Sequence, residues 1–204
     1  MASATPLRPG PARPDAAEQI RDRILDAATE CLLAEGLDAR LHAAIAERAG
    51  ISRPTVYKYV GDQAAIVAAI LDRELDRFFG AAMPVLQRSD DLQAHLVGAI
   101  VFVVDYARDH ALLQKALREH PEIILPALTT ASGPLVERVV GLFEDQLARA
   151  LSRSASPLDP RSAAEWGYRI VISLVTTPTA ALAREDTRAY VESLVRLMAI
   201  VDPD

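Results

Sequence analysis

One cysteine, Cys31, stands in 204 residues. A disulfide within the chain is excluded, and a lone thiol fits a reducing compartment. Helical spacing puts Cys31 on the buried face of the first helix. Aromatic residues are scarce at 5%, with a single tryptophan. Alanine, leucine and valine supply most of the apolar half, and strand-type alternation is nearly absent. The expected fold is all-α. No apolar run is long enough to span a membrane. The opening MASATPLRPGPARP lacks the apolar segment of a secretory signal, so a cytoplasmic location is expected. There is no GxSxG, GxGxxG, phosphate-binding loop or HExxH. His42, His95, His110 and His120 are scattered. Glu119-His120-Pro121-Glu122 is the only ligand-like cluster, and it reads as a surface helix end. No catalytic site, metal or cofactor is expected.

The net charge of −6 opposes indiscriminate binding to polyanions. Its distribution is uneven. Residues 1–61 carry eight basic and eight acidic side chains, so residues 62–204 carry the whole −6. Residues 40–61 hold Arg40, Arg48, Arg53 and Lys58 against Glu47, a local balance of +3. A basic face on an acidic body is compatible with specific DNA binding.

The densest information lies in residues 45–60, IAERAGISRPTVYKYV. Ala46 and Ala49 are small and let two helices approach closely. Gly50 stands where the chain leaves a helix, a place that often needs positive φ. Ile51 can plug the corner. Ser52 can cap the next helix, and Pro54 falls in its first turn, where a missing N–H costs little. Val56 and Tyr59 would face the core, leaving Arg53, Thr55, Tyr57 and Lys58 outward. Two short helices with a glycine turn, the second polar and basic, form a helix-turn-helix. For Ser-Arg-Pro-Thr alone, an ordinary helical corner with a solvated basic face is the alternative.

Residues 1–14 read as a disordered arm. Asp15 to Glu18 looks like a capping box that opens helix one, which ends at Gly36. Leu41–Ala49 and Pro54–Val60 follow as helices two and three. Asp62 can cap a fourth helix running to about Phe79, with Pro84 marking a loop. Further helices are expected from Leu92 to about Arg108, from an Asp109 cap through about Glu119, from Pro121, from Ser132-Gly133-Pro134 to about Leu151, and from Pro160 through Val175. Pro178 should end or kink that helix. A last helix is expected from about Asp186 to Val201. The last two helices are apolar around much of their circumference and need cover on more than one side. Trp166, Ile170, Leu174, Val191, Leu194, Val195 and Met198 are the candidates for an intersubunit four-helix bundle, against the alternative of a central place in the monomer core.

From Ile24 to Leu71 the chain resembles the TetR family of transcriptional regulators. ILDAATECLLAEG and IAERAGISRPTVYKYVGDQAAIVAAIL carry the resemblance, in the family's order of helix, helix-turn-helix and linking helix. Beyond Leu71 only length and helical character match. The resemblance implies a DNA-binding head at residues 15–61 and a ligand-binding and dimerisation domain at 62–204, with helix four at 62–79 as the link. It implies that Ser52, Arg53, Thr55, Tyr57, Lys58 and Tyr59 face operator DNA, some reaching base edges and others phosphates. Arg53 is the candidate for guanine readout. The family usually has threonine where Leu41 stands, a β-branched apolar residue at His42, an aromatic at Val60 and a lysine at Gln63. A phosphate contact made by that threonine would pass to Arg40 or His42.

The resemblance also implies a small-molecule effector bound among the C-terminal helices, whose binding moves helix four. Phe102, Tyr106, His110, Phe143, Trp166, Arg169 and Thr176 are the candidate lining groups, although aromatics at helical spacing are usually core. The apolar, alanine-rich C-terminal part favours a lipophilic ligand. The expected protein is a homodimeric regulator, most often a repressor, on a palindromic double-stranded operator. The alternative is an all-α ligand-binding or interaction protein of the same fold that no longer binds DNA.

Overall fold

The computed structural model describes residues 16–36, 41–86, 92–153, 158–177 and 187–199. Among them there is no strand. The helices are α1 (Ala16–Glu35), α2 (Leu41–Ala49), α3 (Arg53–Val60), α4 (Gln63–Leu86), α5 (Leu92–Asp109), α6 (Ala111–Glu119), α7 (Pro121–Leu128), α8 (Gly133–Arg153), α9 (Pro160–Thr176) and α10 (Thr187–Ala199). The chain divides into two compact units, Met1–Arg73 and Glu74–Asp204.

In the first unit α1, α2 and α3 pack around one core. Ile24, Leu25, Ala28 and Cys31 from α1, Ile45 from α2 and Val56 from α3 are all buried to 1% exposure or less. Burial pushes the Cys31 thiol upward, which keeps it protonated and unreactive. Leu41 is also buried, so the side chain standing where the family's threonine is expected serves packing. Gly36 ends α1 at φ 76°, its N–H donating to the Leu32 carbonyl at 3.1 Å.

Among the described residues of the second unit, two apolar clusters stand out. Val97, Ile100 and Val104 of α5 pack with Leu174 of α9 and Val191 and Val195 of α10. Val140, Leu147 and Leu151 of α8 pack with Ala164 of α9. The N-cap of α9 is Asp159, which accepts from the Ser162 N–H at 2.8 Å, and that bond holds its carboxyl below the usual range. His95 is buried on α5, where burial and then Arg153 hold the imidazole below its usual value.

Two expectations need correction. Helix α4 runs on past Phe79 and through Pro84 to Leu86. Pro84 forfeits only the bond to the Gly80 carbonyl, near the helix end, while buried Phe79 and Ala82 hold the helical face in the core. Second, the cap of α6 is His110, whose Nδ1 accepts from the Leu113 N–H at 3.2 Å. Asp109 is still the last residue of α5. Leu174, Val191 and Val195, three of the candidates for a bundle with a second copy, are buried in the cluster that α5, α9 and α10 share. Helix α5 packs against them there. Asp15, Pro178 and the arm at 1–14 lie outside the described residues, as does the side chain of Met198.

Candidate nucleic-acid interface and effector site

The turn between α2 and α3 is built by backbone hydrogen bonds. Gly50 takes φ 63°. Its N–H donates to the Glu47 carbonyl at 3.1 Å, and the Ile51 N–H donates to the Ala46 carbonyl at 2.9 Å. That pair is the Schellman closure of α2. Ser52 then opens α3. Its Oγ accepts from the Thr55 N–H at 3.3 Å and lies 2.8 Å from the Thr55 hydroxyl. Pro54 occupies the first turn.

This geometry sorts α3 into two faces. Val56 and Val60 are buried. Arg53, Tyr57 and Lys58 are exposed, Thr55 and Tyr59 half-buried. The Lys58 ammonium lies 5.3 Å from the Tyr59 ring centroid, so the two share a face of the helix end. Arg48 of α2 leans on Glu30 of α1 at 3.8 Å. Gly61 ends α3 and Asp62 opens α4, its Oδ1 accepting from the Ala65 N–H at 2.9 Å. His42 is half-buried, its ring stacked on that of Tyr57. Arg40 lies outside the described residues.

In the second unit the candidate lining groups part company. Phe102, Tyr106 and His110 stand in succession along α5 and the α6 cap, with centroids 5.9 Å and 5.7 Å apart. Phe78 of α4 joins them, 5.2 Å from Tyr106 and 6.3 Å from Phe102. The rings of Phe102, Tyr106 and His110 border an open depression of ≈ 470 Å³, lined also by Asp105 and Asp109. His110 Nδ1 already accepts from α6, so Nε2 carries the proton of the neutral ring and donates to Glu74 Oε2 at 3.1 Å. Glu74 also takes Arg77 at 2.7 Å. Burial and then the Glu74 carboxylate push the Tyr106 phenol up, so it stays a neutral donor.

The other four expected lining groups stand elsewhere. Phe143 packs on Phe79 and on the α8–α9 core. Trp166 is 47% exposed on α9. Arg169 is exposed and reaches Glu165 at 3.5 Å. Thr176 spends its hydroxyl on the Ile172 carbonyl of its own helix at 2.7 Å. Phe78 and Glu74 also touch this cluster, although in sequence α4 reads only as a link. Their spacing with Phe79 and Ala82 was the available signal. Among the described residues no group of three His, Cys, Asp or Glu side chains could hold a metal ion. Among them also, no single helix is long and apolar enough to cross a membrane.

Two family models match the chain. Residues 24–70 match bacterial regulatory proteins of the tetR family. Residues 91–199 match the bacterial tetracyclin repressor C-terminal domain. An uncharacterized HTH-type transcriptional regulator of Mycobacterium bovis is 34% identical over 111 residues, 54% of this chain and 56% of that protein. The chain thus spans little more than half the length of that relative. The HTH-type transcriptional activator FasR of Mycolicibacterium smegmatis is 24% identical over 160 residues, 73% of each protein. Among solved structures, RolR in complex with the ligand resorcinol has a TM-score of 0.64 at 20% identity, covering 89% of this chain and 88% of that one. That likeness speaks for the fold.

Proposed function

Since this chain belongs to the TetR family of transcriptional regulators, we propose that it binds a palindromic operator as a homodimer and lets go when a small lipophilic ligand binds. The observation that carries this reading is the exposed face of α3, where Arg53, Tyr57 and Lys58 project from a capped, buried-backed helix. Residues 15–61 are the reading head and residues 62–204 serve ligand binding and dimerisation, with α4 as the link. The exposed side of α9 around Trp166 is the surface left for a second copy. Ser52, Thr55 and Tyr59 complete the DNA-facing set, together with Arg40, and His42 serves it from behind the Tyr57 ring.

Arg53→Ala is expected to weaken specific operator binding by about 1–3 kcal/mol, since a guanidinium fork on guanine is lost. The measurement is a titration of the duplex selected by the wild-type chain from a random DNA pool. Full affinity in the variant would remove Arg53 from base readout. A wild-type chain that selects no sequence, and whose weak binding lacks salt dependence, would favour the ligand-binding protein without DNA activity. The sign of regulation is proposed to be repression. Transcription from the selected operator reads it directly, and a rise on adding the protein would make it an activator, as FasR is named.

The ligand site is proposed at the depression bordered by Phe102, Tyr106 and His110. Its ring wall suits an apolar or aromatic body, and RolR was crystallised with resorcinol, a small aromatic ligand. An effector found by repeating the selection with candidate compounds should lose about threefold to tenfold in potency on Phe102→Ala, the value of one aromatic contact. An unchanged potency would move the site elsewhere in the second unit.

A further inference from the structure

The rings of His42 and Tyr57 stack with centroids 4.1 Å apart and planes 9° from parallel. The His42 Nε2–H donates to the Gly61 carbonyl at 3.1 Å. A carbonyl only accepts, so the donor nitrogen carries the proton. Gly61 in turn donates its N–H to the Tyr57 carbonyl at 3.0 Å. The three residues close a circuit: His42 grips Gly61, Gly61 grips the Tyr57 backbone, and the Tyr57 ring lies on His42. The circuit joins the start of α2, the body of α3 and the turn into α4.

Its product is the orientation of one side chain. Tyr57 is 53% exposed. An exposed tyrosine with no neighbour samples several rotamers, and fixing one on binding costs free energy. The stack fixes it before DNA arrives. We infer that His42 is a positioning residue, holding the Tyr57 ring in one orientation on the DNA-facing side of α3 and acting on the operator through Tyr57. An aliphatic side chain at this position offers no ring face for stacking and no donor for Gly61. The inference rests on the operator-binding reading, and the test separates the two.

Binding of the selected duplex is measured for wild type, Arg53→Ala, His42→Ala, Tyr57→Ala, the His42→Ala/Tyr57→Ala double variant and His42→Phe. Circular dichroism confirms that each variant is folded. His42→Ala is expected to weaken binding about threefold to tenfold, and to have no further effect once Tyr57 is alanine. His42→Phe keeps a stacking face and should recover most of the loss. A role confined to packing the head would let the His42→Ala loss persist in the Tyr57→Ala background, which overturns the inference. Failure of His42→Phe to recover binding also overturns it. Loss of binding in Arg53→Ala with additive His42 and Tyr57 effects leaves the operator reading standing and removes only the circuit. A wild-type chain that selects no duplex removes both.

Discussion

Gly61→Ala is expected to destabilise the N-terminal unit by about 2–4 kcal/mol, from backbone strain plus one close contact. Gly61 sits at φ 93°, ψ −149°. That region is essentially reserved for glycine, and a side chain there costs about 1–3 kcal/mol. A Cβ would also stand 3.0 Å from the Ala65 Cβ. Ala65 is pinned, because its N–H donates to the Asp62 cap at 2.9 Å. Neither partner moves without opening a cap. The same glycine takes the His42 hydrogen bond and closes α3, so a shifted backbone breaks both. Gly50 is the internal control. It has φ 63°, in the ordinary left-handed region, and a Cβ there meets nothing within 4 Å. Gly50→Ala should cost only about 1 kcal/mol. Amide hydrogen exchange in α1 to α3 reads both, since it reports this unit directly. Equal protection in the two variants would show that Gly61 is not the strained position.

How much of this was legible in the residues depends on the range of the interactions. The ends of α2 and the start of α3 were readable, because Gly50, Ser52 and Pro54 act on backbone groups three to five residues away. Asp62 and Pro160 are readable for the same reason. The inward face of α3 was readable at Val56 from helical period alone. Misjudgements came where partners are distant in sequence. The apolar faces of α9 and α10 could not be assigned to the chain's own core or to a second copy, because covering by α5 is a tertiary fact. Asp109 looked the better cap for α6, yet α5 keeps it helical and leaves His110 to turn the corner. Pro84 looked like a stop, but a proline near a helix end forfeits one bond that buried Phe79 and Ala82 outweigh. At the candidate site, the spacing of Arg53 and Lys58 marks the outward side of α3. The stack of His42 on Tyr57 left no trace in either local pattern.

Arg73 belongs to the same class of invisible partners, and its removal is the second large effect. It stands on α4 and reaches α1 by three bonds. Nη1 donates to Asp26 Oδ1 at 2.8 Å, and Nη2 donates to the Leu25 carbonyl at 3.0 Å and to the Thr29 hydroxyl at 2.8 Å. Thr29 passes its own proton to the Leu25 carbonyl at 2.9 Å, so its oxygen is oriented to accept. The Arg73 side chain is 15% exposed, whereas Asp26 is 62% exposed. The ion pair is therefore screened and worth about 0–1 kcal/mol. The weight falls on the part-buried bonds from a charged donor, about 1.5–3 kcal/mol together with the packed stem. Arg73→Ala should destabilise the unit by about 2–3 kcal/mol. Arg73→Met keeps the stem and loses the fork, so it isolates the hydrogen bonds. Arg73→Lys should recover less than half of the loss, since one ammonium cannot reproduce a planar fork spread over three acceptors. Hydrogen exchange in α1 and urea unfolding read all three. If Arg73→Met came within about 0.5 kcal/mol of wild type, the fork would contribute nothing and only packing would join α4 to α1. If instead Arg73→Lys matched wild type, charge alone would suffice and the geometry of the three acceptors would be irrelevant. The expected order, from most to least stable, is arginine, lysine, methionine, alanine.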